Sequence, residues 1–326
     1  MQKLRSIQVL RGIAACAVVV LHAYPQVQTR GGVAVRELGL AGYGAAGVDL
    51  FFVISGFIMA SVAQGRTARQ FLGDRLWRIY PLWWVAVAPW LFMLPRGATF
   101  VASSLTLWPI YAGGYYVPVL KVGWTLSFEL LFYLGMTLAI ATRAAVPIAL
   151  YALFMLGALT LPSPVLHFVG NPMALEFLMG VLVARLPRRA ALGWLIPAGL
   201  VLLFASHAST GDVESTLEPH FALWRAFAWG VPAALIVWGT LSIAKLFDHR
   251  RFDLPVALGD ASYSIYLFHP IIAYGFDLPG AVRVLLAIGM GWAVHAVVER
   301  RLLTARKQWP AVAARLSSKN AVAKLT

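Results

Sequence analysis

The chain is poor in charge. Only 12% of its 326 residues are Asp, Glu, Lys or Arg, against about 25% in an average soluble domain. Hydrophobic residues make up 60%, and no water-soluble protein of this length has an interior large enough to bury so many. The scarcity of charge therefore excludes a soluble enzyme, a disordered tail and a nucleic-acid-binding module. The apolar excess must face lipid.

Cysteine and acidic residues are also scarce. The single cysteine, Cys16, lies in an apolar stretch, which excludes a disulfide framework. Asp and Glu number 13 against 27 Lys and Arg, so the net charge is +14. The basic residues punctuate apolar runs instead of forming a soluble basic face, and their pattern indicates membrane topology and no nucleic-acid partner.

Ten apolar runs approach the roughly 20 residues that a helix needs to cross a bilayer. The sequence thus predicts an all-α, polytopic membrane helix bundle, with residues 1–299 embedded and 300–326 forming a basic cytoplasmic tail. The segment 97–121, rich in Gly, Pro, Tyr and Trp, is predicted as an outer loop or a short re-entrant piece. The predicted spans are 6–24, 44–63, 80–96, 122–141, 144–161, 166–184, 192–207, 222–242, 256–276 and 280–298.

Arg11 and His22 lie eleven residues apart in the first span. In a helix that spacing is about 16 Å along the axis and only about 20° around it, so the two side chains share a face. A charge near the bilayer centre costs at least about 2.5–3.5 kcal/mol on insertion scales. Snorkelling of Arg11 and an interfacial position of His22 are the structural explanation, but the shared face favours function.

Two acidic residues also fall within predicted spans. Asp49 opens the second span, where capping or interaction with the helix dipole is as good an explanation as function. Glu129 lies about two turns below the outer boundary of the fourth span, too deep for a cap, with Trp124 and Tyr133 nearby. His269, immediately before Pro270, is by itself more typical of a structural histidine than of a catalyst.

Arg75 and Arg78 are three residues apart, so in a helical turn they share a face. Their position before the third predicted span is explained by the excess of basic residues in cytoplasmic loops. Arginine pairs also make bidentate contacts to phosphates, and this pair is predicted to face the cytoplasm, where phosphorylated cofactors are available.

Five stretches together resemble the acyltransferase-3 family of integral membrane acyltransferases, and within it the exopolysaccharide and O-antigen acetyltransferase branch. The resemblance rests on SIQVLRGIAACAVVVLHAY, GVDLFFVISGFIM, DRLWRIYPLWW, WTLSFELLFY and LGDASYSIYLFHP. It implies a multi-pass protein of the bacterial inner membrane that moves an acyl group, with acetyl the default, from cytoplasmic acyl-CoA to a carbohydrate or lipid-linked glycan. No metal is implied.

The resemblance also implies roles for individual residues. It gives a catalytic role to His22, an essential role to Arg11 and a donor-binding role to Arg75 and Arg78. Arg11 is a third candidate for contact with the donor. The role that it gives Glu129 is less settled.

The chemistry of the residues agrees with acyl transfer but leaves alternatives open. His22 is suited to act as a general base toward the acceptor hydroxyl, or to carry the acyl group covalently. Asp49 and Glu129 are the carboxylates at a depth suited to orient its imidazole. Trp124, Tyr133 and His269 are the predicted acceptor-binding residues.

Two other classes of function compete with an acyltransferase. A proton-coupled transporter also uses intramembrane Arg, His, Asp and Glu. An intramembrane metalloenzyme would require His residues at ligand spacing, whereas the seven His here are far apart in sequence.

The distribution of Lys and Arg generates a testable topology. With the N-terminus in the cytoplasm, the cytoplasmic segments hold 20 of the 27 basic residues. The outer side holds six, which are Arg30, Arg36, Arg96, Lys121, Arg225 and Arg283, so both termini are predicted to be cytoplasmic. In a Cys16→Ser background, Ser209→Cys should react with an impermeant thiol reagent in intact cells and Ser317→Cys should not. Labelling at position 317 alone would contradict this orientation.

Overall fold

The computed structural model describes residues 4–24, 28–30, 33–35, 42–93, 97–111, 114–115, 117–206 and 213–306. The predicted tail 300–326 lies outside these ranges beyond residue 306, so the division into 1–299 and 300–326 stays a prediction.

Within the described ranges the chain is helical apart from two short hairpins, which confirms the predicted all-α class. The longer helices, of 15 or more residues, are α1 (Arg5–Ala23), α2 (Ala46–Val62), α3 (Ala68–Met93), α5 (Trp124–Ala141), α6 (Ala145–Thr160), α13 (Asp253–Gly275) and α14 (Gly280–Val294). The shorter helices are α4 (Ala98–Thr106), α7 (Pro164–Val169), α8 (Ala174–Val183), α9 (Leu195–Ala205), α10 (Val213–Leu217), α11 (Pro219–Arg225) and α12 (Val231–Ser242).

Two π-helical turns extend these helices. Ala226–Gly230 joins α11 to α12, and His295–Glu299 prolongs α14. The hairpins are antiparallel, β1 (Gln28–Arg30) with β2 (Val33–Val35) and β3 (Ile110–Tyr111) with β4 (Gly114–Tyr115).

Six helical segments in the described part of the chain are long and apolar enough to cross a membrane. They are Arg5–Ala23, Tyr43–Val62, Lys121–Ala141, Pro164–Val183, Pro219–Ser242 and Gly280–Arg306. Each contains or overlaps one of the ten predicted spans. The protein is therefore a multi-pass membrane protein.

The other four predicted spans also fall on helices. Those at 144–161 and 192–207 match the shorter apolar helices Ala145–Thr160 and Ala190–Ala205. Those at 80–96 and 256–276 fall on α3 and α13, which are long but are not among the six. The count of ten and the orientation stay predictions.

The third predicted span begins earlier than expected. It was predicted to start at residue 80, but α3 starts at Ala68 and continues through Pro81. Arg75 and Arg78 are therefore part of the same continuous helix as the apolar residues that follow them. Membrane helices tolerate an internal proline because neighbouring groups compensate for its missing N–H.

Side chains of α3 hold the segment that follows it. The indole N–H groups of Trp83 and Trp84 donate to the carbonyl oxygens of Ser104 and Leu105, at 2.8 and 3.0 Å. The hydroxyl of Tyr80 donates to the carbonyl of Thr106. These carbonyls belong to the last turn of α4. Carbonyls at the end of a helix have no N–H donors within the helix. The predicted loop or re-entrant segment 97–121 thus contains a short helix that is fixed to α3.

Glycines allow the helices at the centre of the bundle to approach closely. A Cβ atom on Gly56 of α2 would lie 2.0 Å from the carbonyl oxygen of Phe177 in α8, and one on Gly180 of α8 would lie 2.0 Å from that of Val53 in α2. Small residues at such crossings let membrane helices pack backbone to backbone. This reciprocal contact fixes α2, which lines the site described below.

The glycine contact predicts a sharp difference between two alanine substitutions. Gly180→Ala should destabilise the protein by about 1–3 kcal/mol because the added methyl group overpacks the crossing. Gly135→Ala is the matched control, since a Cβ on Gly135, also in an apolar helix, would meet nothing within 4 Å. Thermal unfolding of detergent-purified protein measures both. Equal melting temperatures for the two variants would contradict the packing described here.

Candidate functional site

A cavity of about 150 Å³ lies between α1, α2, α3, α5 and α13. We call it the arginine cavity, because three guanidinium groups line it. Its polar lining residues are Arg11, Ser55, Arg75, Arg78, Thr125, Glu129, Tyr133, Ser262, Tyr263 and Tyr266. The structure therefore brings together five of the predicted site residues, Arg11, Arg75, Arg78, Glu129 and Tyr133, from three separate motifs.

Arg78 is held by a carboxylate that the sequence analysis did not single out. Glu299, in the π-helical turn after α14, accepts from the Arg78 guanidinium at 2.6 Å and from the Ser264 hydroxyl at 2.7 Å. His295 Nδ1 lies 2.7 Å from the same carboxylate. Arg78 also lies over the ring of Tyr263, 5.3 Å from its centroid. The available signal was the i,i+4 spacing of His295 and Glu299 at the end of the last predicted span.

Two polar atoms in the lining of the arginine cavity have no hydrogen-bond partner among the described residues. They are Nε of Arg75 and Oγ of the fully buried Ser262. Buried polar atoms are nearly always hydrogen-bonded. Together with three arginines in the lining, they indicate a site for an anionic group that accepts hydrogen bonds.

Glu129 is the carboxylate in that lining. Its Oε1 accepts from the hydroxyls of Ser55 at 3.1 Å and Tyr133 at 2.6 Å. Two other carboxylates lie close to the arginines of the cavity. Glu299 accepts a hydrogen bond from Arg78, and Asp260 lies near Arg11. Tyr133, predicted to contact the acceptor, is thus beside the arginines.

A second cavity of about 380 Å³ contains His22, and we call it the histidine cavity. Trp90, Trp124 and Tyr274 contribute aromatic surface, and Lys121 and Arg225 contribute charge. His22 Nδ1 lies 2.9 Å from the carbonyl oxygen of Val18 and 3.1 Å from Nε2 of His269. The ring of Tyr274 stands edge-on to that of His22, with centroids 5.9 Å apart.

The two cavities share a wall. Val48 and Tyr266 line both of them. The hydroxyl of Tyr266 donates to the carbonyl of Val122 at 2.9 Å and lies 2.8 Å from the hydroxyl of Thr125. Arg11 lines one cavity and His22 the other, so α1 runs along both.

Asp49 is directed at an arginine instead of at His22. Its two carboxylate oxygens accept from Nε and an Nη of Arg225, at 3.0 and 2.8 Å, and both side chains are buried. Sequence reasoning counted Arg225 as an outer-loop charge. Arg225 is instead buried inside the bundle, where a guanidinium needs a partner and Asp49 supplies it. Glu176 packs beside this pair, near Asp49.

The imidazole beside His22 comes from His269, which is fully buried. From the sequence, Asp49 and Glu129 were the candidates to orient His22, whereas Glu129 lines the arginine cavity and Asp49 pairs with Arg225. His269 was expected at the acceptor site, and its ring centroid lies 4.9 Å from that of His22. In the described residues no group of three or more His, Cys, Asp or Glu is placed to hold a metal ion.

Comparisons with known proteins agree with the sequence motifs. A family profile described as an acyltransferase domain matches residues 4–294. The exopolysaccharide production protein ExoZ of Rhizobium meliloti (strain 1021) is 32% identical over 295 residues, which cover 80% of this chain and 90% of ExoZ. No solved structure matches the chain significantly.

Two further relatives are more distant. Nodulation protein 10 of Rhizobium leguminosarum bv. viciae is 26% identical over 336 residues, covering 88% of this chain and 84% of the relative. Acyltransferase MdmB of Streptomyces mycarofaciens is 26% identical over 371 residues, covering 94% of each. None of these similarities supports the transporter alternative. With five motifs in order, two adjoining cavities and a family match over nearly its whole length, the chain belongs to the acyltransferase-3 family of membrane acyltransferases.

Proposed function

We propose that this membrane acyltransferase moves an acyl group, with acetyl the default, from cytoplasmic acyl-CoA to a hydroxyl of a cell-surface glycan or its lipid-linked precursor. The observation that carries the proposal is the shared wall between a cavity lined by arginines and a cavity that contains a histidine. One cavity suits an anionic donor and the other suits a proton transfer to or from a hydroxyl. The printed name of the relative ExoZ, an exopolysaccharide production protein, supports a polysaccharide acceptor.

The donor is assigned to the arginine cavity. Arg75 offers a buried Nε without a partner among the described residues, and Arg11 and Arg78 add two further guanidinium groups. Guanidinium groups bind phosphates in a bidentate manner, and CoA carries phosphates. Acyl-CoA supplies the activated thioester, which reaches the histidine cavity past Val48 and Tyr266.

His22 is assigned the chemistry. Its Nδ1 lies within hydrogen-bonding distance of a backbone carbonyl, which can only accept, so Nδ1 carries a proton and the neutral ring has its lone pair on Nε2. As a general base, Nε2 takes the proton of the acceptor hydroxyl while the hydroxyl oxygen attacks the thioester carbonyl. The CoA sulfur leaves and receives that proton from His22. Direct attack by His22 on the thioester remains the alternative route.

The acceptor is assigned to the histidine cavity. Trp90, Trp124 and Tyr274 supply flat aromatic faces beside His22, which suit the apolar faces of sugar rings. Tyr133 is assigned to the donor side, because it is hydrogen-bonded to Glu129 in the arginine cavity. With the predicted topology, the arginine cavity opens toward the cytoplasm of a bacterial inner membrane and His22 lies toward the outer face.

Substitutions in the histidine cavity should lower turnover, whereas substitutions in the arginine cavity should lower the affinity for acetyl-CoA. His22→Ala should abolish turnover and leave acetyl-CoA affinity nearly unchanged, because it removes an interaction used in the transition state. Arg75→Ala and Arg78→Ala should each weaken acetyl-CoA binding roughly ten- to a hundredfold, since a charged hydrogen bond contributes about 1.5–3 kcal/mol. Calorimetry on purified variants, alongside an acyl-transfer assay, measures both effects.

The matched control is Arg143→Ala, which removes an exposed arginine at the end of α5 and should change neither quantity. Arg78→Lys should restore only part of the affinity, because an ammonium group cannot reproduce the planar fork. Unchanged acetyl-CoA affinity in the Arg75→Ala/Arg78→Ala double variant would refute the donor assignment and leave these residues as topology signals.

A further inference from the structure

The starting observation is a helical carbonyl that loses its regular donor. Residue 270 of α13 is proline and has no backbone N–H, so the carbonyl of Tyr266, four residues earlier, has no i→i−4 donor. Nδ1 of His269 lies 2.7 Å from that oxygen. Because a carbonyl can only accept, His269 must carry its proton on Nδ1.

The position of the proton on His269 determines the position of the proton on His22. With its proton on Nδ1, neutral His269 presents Nε2 as an acceptor, and Nε2 lies 3.1 Å from Nδ1 of His22. The carbonyl of Val18, 2.9 Å from the same His22 nitrogen, independently requires a proton there. The two carbonyls, on α1 and α13, therefore demand the same arrangement of protons. In that arrangement His22 donates from Nδ1 and keeps its lone pair on Nε2.

We propose that His269, oriented by the proline that follows it, is a positioning residue that shares the Nδ1–H of His22 with the Val18 carbonyl and so holds the His22 ring in place throughout the acyl transfer. The inference rests on the proposed function. In hydrolase triads a carboxylate has this role, and here a neutral imidazole has it. The proton balance is closed, since the acceptor's proton enters and leaves at His22 Nε2 while the Nδ1 proton stays in place.

The surroundings support a neutral partner. The carboxylate that sequence reasoning placed at this depth, Asp49, is paired with Arg225, whose guanidinium lines the same cavity. Lys121 is the other basic side chain of the lining. His269 itself is fully buried, so its orientation is set by the protein and not by solvent. A buried neutral acceptor positions the ring without the desolvation cost of a second buried charge.

The test compares two substitutions of similar size. His269→Gln can place an amide oxygen near the position of Nε2 and accept from His22, whereas His269→Leu cannot. We expect His269→Leu to lower kcat on the order of 100-fold, within the range for loss of acid–base catalysis, with acetyl-CoA affinity within about twofold of wild type. His269→Gln should recover at least about tenfold of that loss. His220→Leu, which removes an exposed histidine of α11, is the control.

Pro270→Ala tests the origin of the arrangement without touching either ring. The substitution gives residue 270 an N–H that competes with His269 for the Tyr266 carbonyl. We expect kcat to fall, with acetyl-CoA affinity unchanged. Nitrogen-15 NMR of histidine-labelled protein, with each signal assigned by its loss in His22→Ala or His269→Gln, should show a protonated Nδ1 on both rings in wild type. In Pro270→Ala, His269 should become a mixture of tautomers, whereas His22 should keep its Nδ1 proton on the Val18 carbonyl.

The outcomes separate this inference from the proposed function. Wild-type kcat in His269→Leu, or a His22 that carries its proton on Nε2 in the NMR spectrum, would overturn the role of His269 while leaving acyl transfer intact. Equal kcat losses in His269→Gln and His269→Leu would also overturn it. If the wild-type protein does not turn over acetyl-CoA, the proposed function fails, and the NMR measurement still tests the tautomer.

Discussion

A charged side chain inside a membrane bundle is stable only when a second group neutralises or hydrogen-bonds it, because the bilayer interior offers no water to do so. In the described part of this bundle, two ion pairs that join distant helices satisfy that constraint. Asp49 of α2 pairs with Arg225 of α11, and Arg78 of α3 pairs with Glu299 after α14. These pairs fix the relative positions of the helices that surround both cavities, so the geometry of the site depends on them.

The same need for a partner applies to the buried polar atoms that have none among the described residues. Seven buried side-chain N or O atoms of the described residues have no hydrogen-bond partner, among them both oxygens of Glu176. Arg75 Nε and Ser262 Oγ differ from the others because they line one cavity together with three guanidinium groups, and the proposed donor would supply their partner. The side chains of α1 link that position to the proposed chemistry, with Arg11 in the arginine cavity and His22 in the histidine cavity. Close helix packing makes this possible, since a Cβ on Gly259 of α13 would lie 1.8 Å from the carbonyl of Gln8 in α1.

The sequence was sufficient to predict the helical class, the family and some of the residues that line the two cavities, which are Arg11, Arg75, Arg78, Glu129 and Tyr133 in one and His22 and Trp124 in the other. Those features follow from local patterns, such as the eleven-residue spacing of Arg11 and His22 or the three-residue spacing of Arg75 and Arg78. The partners could not be predicted the same way. Glu299 lies 221 residues from Arg78, and His269 lies 247 residues from His22. A single sequence contains no information on which distant helices meet. Arg225 was therefore counted as an outer charge, and Asp49 was one of two carboxylates, with Glu129, predicted as candidates to orient His22.

The central claim is that one acyl-CoA molecule extends from the arginine cavity to His22 past Val48 and Tyr266. The most direct measurement is photo-crosslinking with an acyl-CoA analogue whose short acyl group carries a diazirine, followed by peptide mass spectrometry. The account predicts labelling near His22 in α1 and near Pro270 in α13, and loss of that labelling in the Arg75→Ala/Arg78→Ala double variant. Acyl-group labelling confined to the α3 segment around Arg75 and Arg78 would contradict it.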